Sequence, residues 1–164
     1  MEKHQKFKYE KITADEGYES EENYAYIEDN NQVVFIKPAN YEISKTRKYK
    51  SDIGRTENME YNKIEDYYIC KNNKKLTVSK VIVIIRKTGY KSEKTIYTCE
   101  DCSNCEYKSK CIKGNNSKKP LEERIKNLEV SKLFNKLRND ELERILSKEG
   151  CKLRMNRSIQ VEGS

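Results

Sequence analysis

The chain has 164 residues, of which 35% are hydrophobic and 37% are charged, so it is long enough for one domain but poor in core-forming side chains. No run of about 20 apolar residues is present, which excludes a membrane-spanning helix, and the N-terminus lacks the apolar core of a signal peptide. We therefore expect a cytoplasmic protein. The only histidine is His4, so histidine-based catalysis is excluded and any chemistry must use carboxylates, thiolates or metals.

The formal net charge of +7 is unevenly distributed along the chain. Residues 1–30 carry four Lys/Arg and nine Asp/Glu, a net charge of −5, so the remaining residues carry +12. A basic body favours a polyanionic partner, most often nucleic acid. A lysine-rich protein without such a partner would have the same composition, so the charge leaves both interpretations open.

The first elements are predicted to form a strand–helix–strand unit. Residues 11–15 are β-compatible and end in an acidic residue, and Ser20 is a typical N-cap for a helix over residues 21–29. Residues 33–36 follow as a continuous apolar run of strand length. A run that is apolar at every position indicates a strand covered on both faces, as in a parallel sheet, so residues 11–36 read as a βαβ unit.

The middle of the chain is predicted to be rich in antiparallel strands, at residues 67–70, 76–85 and 90–98, with a hairpin turn at Thr88-Gly89. After Pro120 the apolar residues recur at helical spacing, and Gly150 has the character of a C′ residue for a helix that ends near Lys148.

These elements predict an α/β fold in three parts. A βαβ start is followed by a β-rich insertion with a cysteine cluster and then by a helical segment; the predicted ranges are 1–38, 39–118 and 119–164.

Two places carry carboxylates that could bind a metal ion. Asp15 follows a predicted core strand, and sites in open parallel sheets form at the carboxyl ends of strands, where a carboxylate suits a hard cation such as Mg²⁺. The alternative is that Asp15 only caps the following turn. Glu162 lies near Arg157 on a predicted helix, which fits either a metal ligand beside a phosphate-binding cation or an exposed ion pair.

Four cysteines lie within thirteen residues, in the order Cys99, Cys102, Cys105 and Cys111. Thiolates at this spacing can form a tetrahedral Zn²⁺ site that stabilises a loop with little apolar content. A free reduced cluster is the main alternative, and an iron–sulfur cluster is a weaker one because the usual Cys-Pro ending is absent. Cys70 and Cys151 have the character of small buried residues rather than ligands.

Three segments, taken in this order, resemble DDE-type insertion-sequence transposases: TADEGYESEENYAYIEDN with VVFIKPANYE, then YTCEDCSNCEYKSKC, then LSKEGCKLRMNRSIQVEGS. They resemble the region of the second catalytic aspartate, a cysteine-rich stretch found in one group of these enzymes, and the segment that holds the catalytic glutamate. The resemblance implies a partial RNase H-like core, made of the βαβ start and the C-terminal helices and interrupted by the β-rich insertion.

The resemblance also implies a two-metal mechanism, in which three carboxylates hold two Mg²⁺ ions for cleavage and strand transfer at a phosphodiester. Asp15 matches the second aspartate and Glu162 the glutamate, while Arg154 and Arg157 would contact DNA. The implied partners are transposon ends and target DNA, with a homo-oligomer or a complementing transposase chain.

The first catalytic aspartate has no counterpart in residues 1–14, where only Glu2 and Glu10 are acidic. We therefore expect a fragment of a transposase that is inactive alone. The alternative function is a small, basic, metal-stabilised module that binds DNA without cutting it.

Overall fold

The computed structural model describes the backbone of residues 9–114 and 117–162 and the side chains up to Arg157, apart from residues 115 and 116. The chain forms two compact units: the first combines residues 1–41 with residues 133–164, and the second comprises residues 42–132. Both units contain helices and strands, which confirms the α/β class. No helix in the described ranges is both long and apolar enough to cross a membrane.

The first unit opens with the predicted strand–helix–strand unit. It consists of β1 (Lys11–Ala14), α1 (Glu21–Asp29) and β2 (Val33–Ile36), and the two strands pair in parallel. The α1 helix begins where the sequence indicates, because the Ser20 hydroxyl accepts the backbone N–H of Asn23 at 3.1 Å.

The core of the first unit lies between this sheet and the C-terminal helices. Tyr24, Val34 and Ile36 are buried together, and apolar side chains from neighbouring elements pack against them: Ile12, Ala14, Ile27, Phe134 and Leu137. Val33 is 36% exposed, so the expected coverage of β2 on both faces applies only to its last three residues.

Two helices complete the first unit, α4 (Lys132–Leu146) and α5 (Lys148–Glu162). The expected role of Gly150 is wrong, because this residue lies inside α5 rather than beyond a helix end. It is buried, and a Cβ there would lie 2.3 Å from the carbonyl oxygen of Arg144. The glycine is needed for close approach of two helices rather than for a left-handed cap.

The second unit is built on an antiparallel sheet with strand order β3-β4-β5-β6-β7. The strands are β3 (Glu60–Asn62), β4 (Tyr67–Ile69), β5 (Lys75–Ile85), β6 (Lys91–Cys99) and β7 (Asn127–Val130), and the unit also contains the short helices α2 (Arg47–Lys50) and α3 (Lys108–Cys111). The hairpin between β5 and β6 is confirmed, and Gly89 adopts a φ of +86° at its turn.

The expectation that the chain is helical after Pro120 is wrong for β7. Leu128 and Val130 are buried while Asn127 and Glu129 are exposed, which is the alternation of a half-buried strand. β7 pairs with β6, a contact between residues about thirty positions apart that helical spacing could not reveal.

A hydrogen-bond network around Asp66 connects the sheet to the end of the second unit. The two carboxylate oxygens accept the hydroxyls of Tyr61 and Tyr97, each at 2.6 Å, and the ammonium of Lys132 at 2.7 Å. Partial burial raises the pKa of Asp66, but these hydrogen bonds outweigh it and leave that pKa at about 2.

Candidate functional site

An open cavity of about 690 Å³ lies at the carboxyl end of β1, within the first unit. Its lining comes from β1, β2 and α5 and includes Thr13, Asp15, Glu16, Lys37, Arg154 and Arg157. The position agrees with the rule that sites in parallel sheets form beyond the carboxyl ends of strands. Carboxylates and cations therefore meet in one accessible space.

Asp15 stands at the N-cap position of a single 3-10 turn, Glu16–Tyr18, but its side chain makes no capping hydrogen bond. Instead, its carboxylate accepts a hydrogen bond from the Arg157 guanidinium at 2.5 Å. The carboxylate is 70% exposed and the Arg157 side chain 31%. The capping alternative raised by the sequence thus does not describe this side chain, which faces a cation and solvent.

Arg157 and Arg154 both come from α5, one turn apart on the helix, and both line the cavity. The Arg154 guanidinium also lies 5.7 Å from the centre of the Tyr41 ring. Two basic side chains thus border the Asp15 carboxylate, an arrangement that can accept a phosphate as well as balance a carboxylate.

Glu162 is the last residue of α5, and its side chain lies outside the described part of the structure. It follows Arg157 by five positions, about 7.5 Å along the axis of a regular α-helix. Because five positions also turn a regular α-helix by about 140° beyond a full turn, the Arg157 contact places α5 beside Asp15 but not Glu162 itself, and the contact between the two carboxylates stays a prediction.

A buried Glu19–Arg138 pair fixes the segment that follows Asp15. The Glu19 side chain is 1% exposed, and its carboxylate accepts two hydrogen bonds from Arg138 of α4, at 2.7 and 2.9 Å. It also accepts the backbone N–H of Ala39, just after β2, at 2.7 Å. One carboxylate therefore ties the ends of both strands to α4.

Glu141 of α4 covers the free edge of β2. Its fully buried carboxylate accepts the backbone N–H of Ile36 at 2.7 Å and the guanidinium of Arg144 at 2.5 Å, and Arg144 donates to the carbonyl of Val34 at 3.3 Å. Burial raises the pKa of Glu141, and the hydrogen bond from Ile36 and the charge of Arg144 oppose that rise. The pair occupies the backbone groups that a neighbouring strand would otherwise use.

These supporting residues are absent from the sequence-based site. The available signal was in α4, where Glu141 interrupts an apolar stripe four residues after Leu137 and four before Ile145. A glutamate at a core-facing position is almost never fully buried unless it is paired, so this position indicates a partner. The sequence alone could not identify Ile36 as its partner.

The second unit contains a small, mainly apolar cavity of about 20 Å³ that five cysteines line together: Cys70, Cys99, Cys102, Cys105 and Cys111. The predicted four are thus brought to one place, and Cys70, which was expected to be only a packing residue, joins them. Cys151 was expected to be buried but is exposed and lies in the first unit. Among residues 9–114 and 117–157, no three His, Cys, Asp or Glu side chains form a preassembled metal-binding group.

The thiols differ in burial and in protonation. Burial raises the pKa of Cys99 to about 12, and Cys99 is the most buried of the five. Burial also raises the pKa of Cys111, while the nearby Lys126 ammonium lowers it. Three lysines line the same cavity: Lys71, Lys108 and Lys126. The cavity therefore brings the thiols close to positively charged side chains.

A family model described as "Transposase DDE domain" matches residues 69–164, more than half of the chain. The chain belongs to the transposase DDE domain family. The resemblance to DDE-type transposases is thereby confirmed, and the second and third of the three segments lie inside the matched range. Neither the curated proteins nor the solved structures gave a significant match.

Membership of the transposase DDE domain family implies a role in transposition with DNA as the partner, and this family generally uses Mg²⁺. The matched range contains the cysteine cluster, α4 and all of α5, whereas β1, Asp15 and α1 lie before it. The assignment of Asp15 therefore depends on the geometry of the first unit and on its resemblance to the second-aspartate region.

Proposed function

We propose that the first unit is part of an RNase H-like catalytic core that performs metal-dependent phosphodiester cleavage and strand transfer in the intact transposase. The observation that carries the proposal is the position of Asp15 at the carboxyl end of a parallel strand, in contact with α5, the helix that leads to Glu162. The second unit, residues 42–132, lies between the two parts of the first along the chain, which supports an insertion in the core that extends beyond the predicted range of 39–118.

Asp15 and Glu162 are the proposed ligands for Mg²⁺. The accessible carboxylate of Asp15 in an open cavity suits a cation that prefers oxygen ligands and keeps part of its water shell. When bound, the metal would supply Lewis-acid activation and charge stabilisation at the phosphodiester. Arg157 neutralises Asp15 in the structure, and we propose that it turns to a DNA phosphate when the carboxylate binds metal, with Arg154 beside it.

A two-metal site also needs a third acidic ligand, which must come from a residue other than Asp15 and Glu162. β1 pairs with β2 on one side and has no strand on its other side within the described ranges. An additional strand that supplies an aspartate, from a complementing transposase chain or another copy in an oligomer, would fit at that edge. This chain alone would then be inactive, because two carboxylates do not complete a two-metal site.

The experiment combines cleavage with metal binding. The full chain is incubated with supercoiled DNA and Mg²⁺ or Mn²⁺, and Mn²⁺ binding is followed in parallel for the wild type and for Asp15→Asn. We expect no cleavage above the Asp15→Asn background and weak Mn²⁺ binding that the substitution removes. Cleavage that depends on Asp15 would contradict the inactivity of the chain, and Mn²⁺ binding that is unchanged by the substitution would contradict the metal site.

A second candidate function, DNA binding without cleavage by a metal-stabilised module, is favoured by the shape of the β5–β6 hairpin. β4 pairs with β5 only at Lys75–Ile69 through Thr77–Tyr67, and β7 pairs with β6 only at residues 95–98, so the rest of the hairpin extends as a two-stranded arm. Residues 79–94 carry five Lys/Arg and one Glu, and most of them are exposed. A basic two-stranded ribbon has dimensions that the DNA major groove accepts.

The arm can be tested through the salt dependence of DNA binding. Replacing Lys87 and Lys91 with glutamine should weaken binding and reduce the slope of log affinity against log salt by about 2, one for each lost phosphate contact. The matched control replaces Lys48 and Lys50, two exposed lysines in α2. Equal effects of the two double variants would indicate general electrostatic attraction rather than recognition by the arm.

A further inference from the structure

The five cysteines of the second unit come from four places in the fold. Cys70 begins the turn between β4 and β5, Cys99 ends β6, Cys102 and Cys105 lie in the following loop, and Cys111 ends α3. A loop of this kind has little apolar content of its own, since most of residues 100–126 are exposed or half-buried. A bound ion is a common way to hold such a segment in place.

We propose that four of these five thiols, the four that are only partly buried, bind one structural Zn²⁺ ion. They are Cys70, Cys102, Cys105 and Cys111. This ligand set differs from the one that spacing predicts, because it includes Cys70 and leaves out Cys99. The proposal concerns the second unit and is independent of the proposed catalytic site in the first.

The size of the cavity favours a single ion. A volume of about 20 Å³ is close to the space of one water-sized sphere, which suits one metal ion. Because no three ligands are preassembled among the described residues, binding requires the thiols to turn toward the cavity centre. The four sulfurs would then lie about 2.3 Å from the ion.

Cys70 is held at the cavity by its backbone. Its N–H donates to the carbonyl of Lys74 and its own carbonyl accepts the N–H of Asn73, both at 2.9 Å, and Asn73 adopts a left-handed φ of +55°. The turn between β4 and β5 therefore has a defined shape. It presents Cys70 opposite the loop that carries Cys102 and Cys105, where Asn104 has a similar left-handed φ of +49°.

The surroundings of the four thiols suit a cluster of negative charge. Four thiolates and one Zn²⁺ carry a net charge of −2, and three lysines line the same cavity: Lys71, Lys108 and Lys126. The backbone N–H of Lys126 donates to the sulfur of Cys102 at 3.4 Å, while its ammonium donates to the carbonyls of Gly54 and Cys111, at 2.8 and 3.1 Å. Hydrogen bonds of this kind orient metal ligands and stabilise their charged form.

Cys99 is more deeply buried than the other four, although Cys70 and Cys102 pack against the same core. It is a member of the apolar core of the second unit, packed with Tyr68, Leu76, Tyr97, Leu128 and Val130. Its sulfur lies 3.4 Å from the carbonyl oxygen of Asp101. Because these side chains enclose Cys99, a packing role fits it better than a ligand role.

The test uses the reduced, full-length chain and compares Cys70→Ala with Cys99→Ala. Cobalt(II) serves as the spectroscopic probe, zinc competition gives the affinity, and Cys151→Ala in the other unit is the control. The wild type should bind one ion per chain with the absorption of a tetrahedral thiolate site. Cys70→Ala should lose about a quarter of the thiolate charge-transfer absorption and weaken binding by at least about tenfold. Cys99→Ala and Cys151→Ala should leave both unchanged.

Two results would overturn the proposal. The first is that the reduced wild type binds neither cobalt nor zinc, and the second is that Cys99→Ala weakens binding as much as Cys70→Ala does. If Cys70→Ala fails to fold, the Cys70→His variant tests whether residue 70 binds the ion. A histidine ligand shifts the visible cobalt bands to shorter wavelength, so a shifted spectrum supports ligation at position 70 and an unshifted one contradicts it.

Discussion

Replacing Gly150 with alanine tests the junction between α4 and α5, which positions the arginines of the candidate catalytic site. An added Cβ would lie 2.3 Å from the carbonyl oxygen of Arg144 and 2.7 Å from the Cα of Ile145, and both are backbone atoms that cannot move aside alone. Alanine is favoured over glycine in a helix by about 1 kcal/mol, whereas overpacking of this kind costs about 1–3 kcal/mol. Because the contacts are far inside van der Waals distance, the clash should win.

We therefore expect Gly150→Ala to lower the free energy of unfolding of the first unit by up to about 2 kcal/mol, which is the cost of overpacking less the gain in helix propensity. Protection of α5 amides against hydrogen exchange in the full chain reports this unit without assuming two-state unfolding. Gly17→Ala is the control, since nothing lies within 4 Å of a Cβ at that position. Equal or higher α5 protection in Gly150→Ala would refute the close packing inferred for this junction.

Two further predictions concern charged groups. The depressed pKa of Asp66, about 2 against an ordinary 3.8, gives stability that is fully present above pH 3.8 and lost as the pH falls toward 2. Because the Asp66 side chain is about one-third exposed, we expect it to contribute about 1 kcal/mol to the free energy of unfolding. The Asp66→Asn variant should therefore flatten this part of the pH–stability curve of the second unit. An unchanged curve would count against the hydrogen-bond network. Glu141→Leu should destabilise the first unit by about 2–4 kcal/mol, because it leaves the buried N–H of Ile36 unpaired. The control, Glu143→Leu on the exposed face of α4, should change the stability little. Similar losses of stability for both variants in a denaturation series would show that Glu141 does not cover the edge of β2.

The parts of the fold that depend on local signals could be predicted from the sequence. Ser20 begins α1 because a hydroxyl at that position accepts an orphan N–H, and the four-residue apolar run ending at Ile36 has the length of a strand and is buried in its last three residues. Gly89 likewise marks the hairpin turn by its positive φ. Each of these elements is specified by residues a few positions apart.

The errors arise where distant contacts decide. A helical period fits Leu121, Ile125 and Leu128, but Leu128 pairs with Tyr97 of β6. The stability gained by adding a strand to the sheet cannot be detected from the pattern of a short sequence segment. Gly150 fits a C′ residue equally well until Arg144 is known to lie against it.

The candidate sites show the same division. Asp15 and the Cys99–Cys111 cluster were identified from sequence because their residue types and spacing are unusual in a short window. Cys70 was missed as a member of the cluster because it is separated from Cys99 by the whole β5–β6 hairpin. The supporting carboxylate of Glu141 was missed because its partner lies more than a hundred residues earlier.

The central claim is that Asp15 and Glu162 bind the same divalent cation. Sub-stoichiometric Mn²⁺ added to the isotope-labelled full chain should broaden the amide signals of both residues, and either Asp15→Asn or Glu162→Gln should remove the broadening at both positions. Broadening at Asp15 that persists in Glu162→Gln, or a signal from Glu162 that Mn²⁺ leaves sharp, would contradict the shared site.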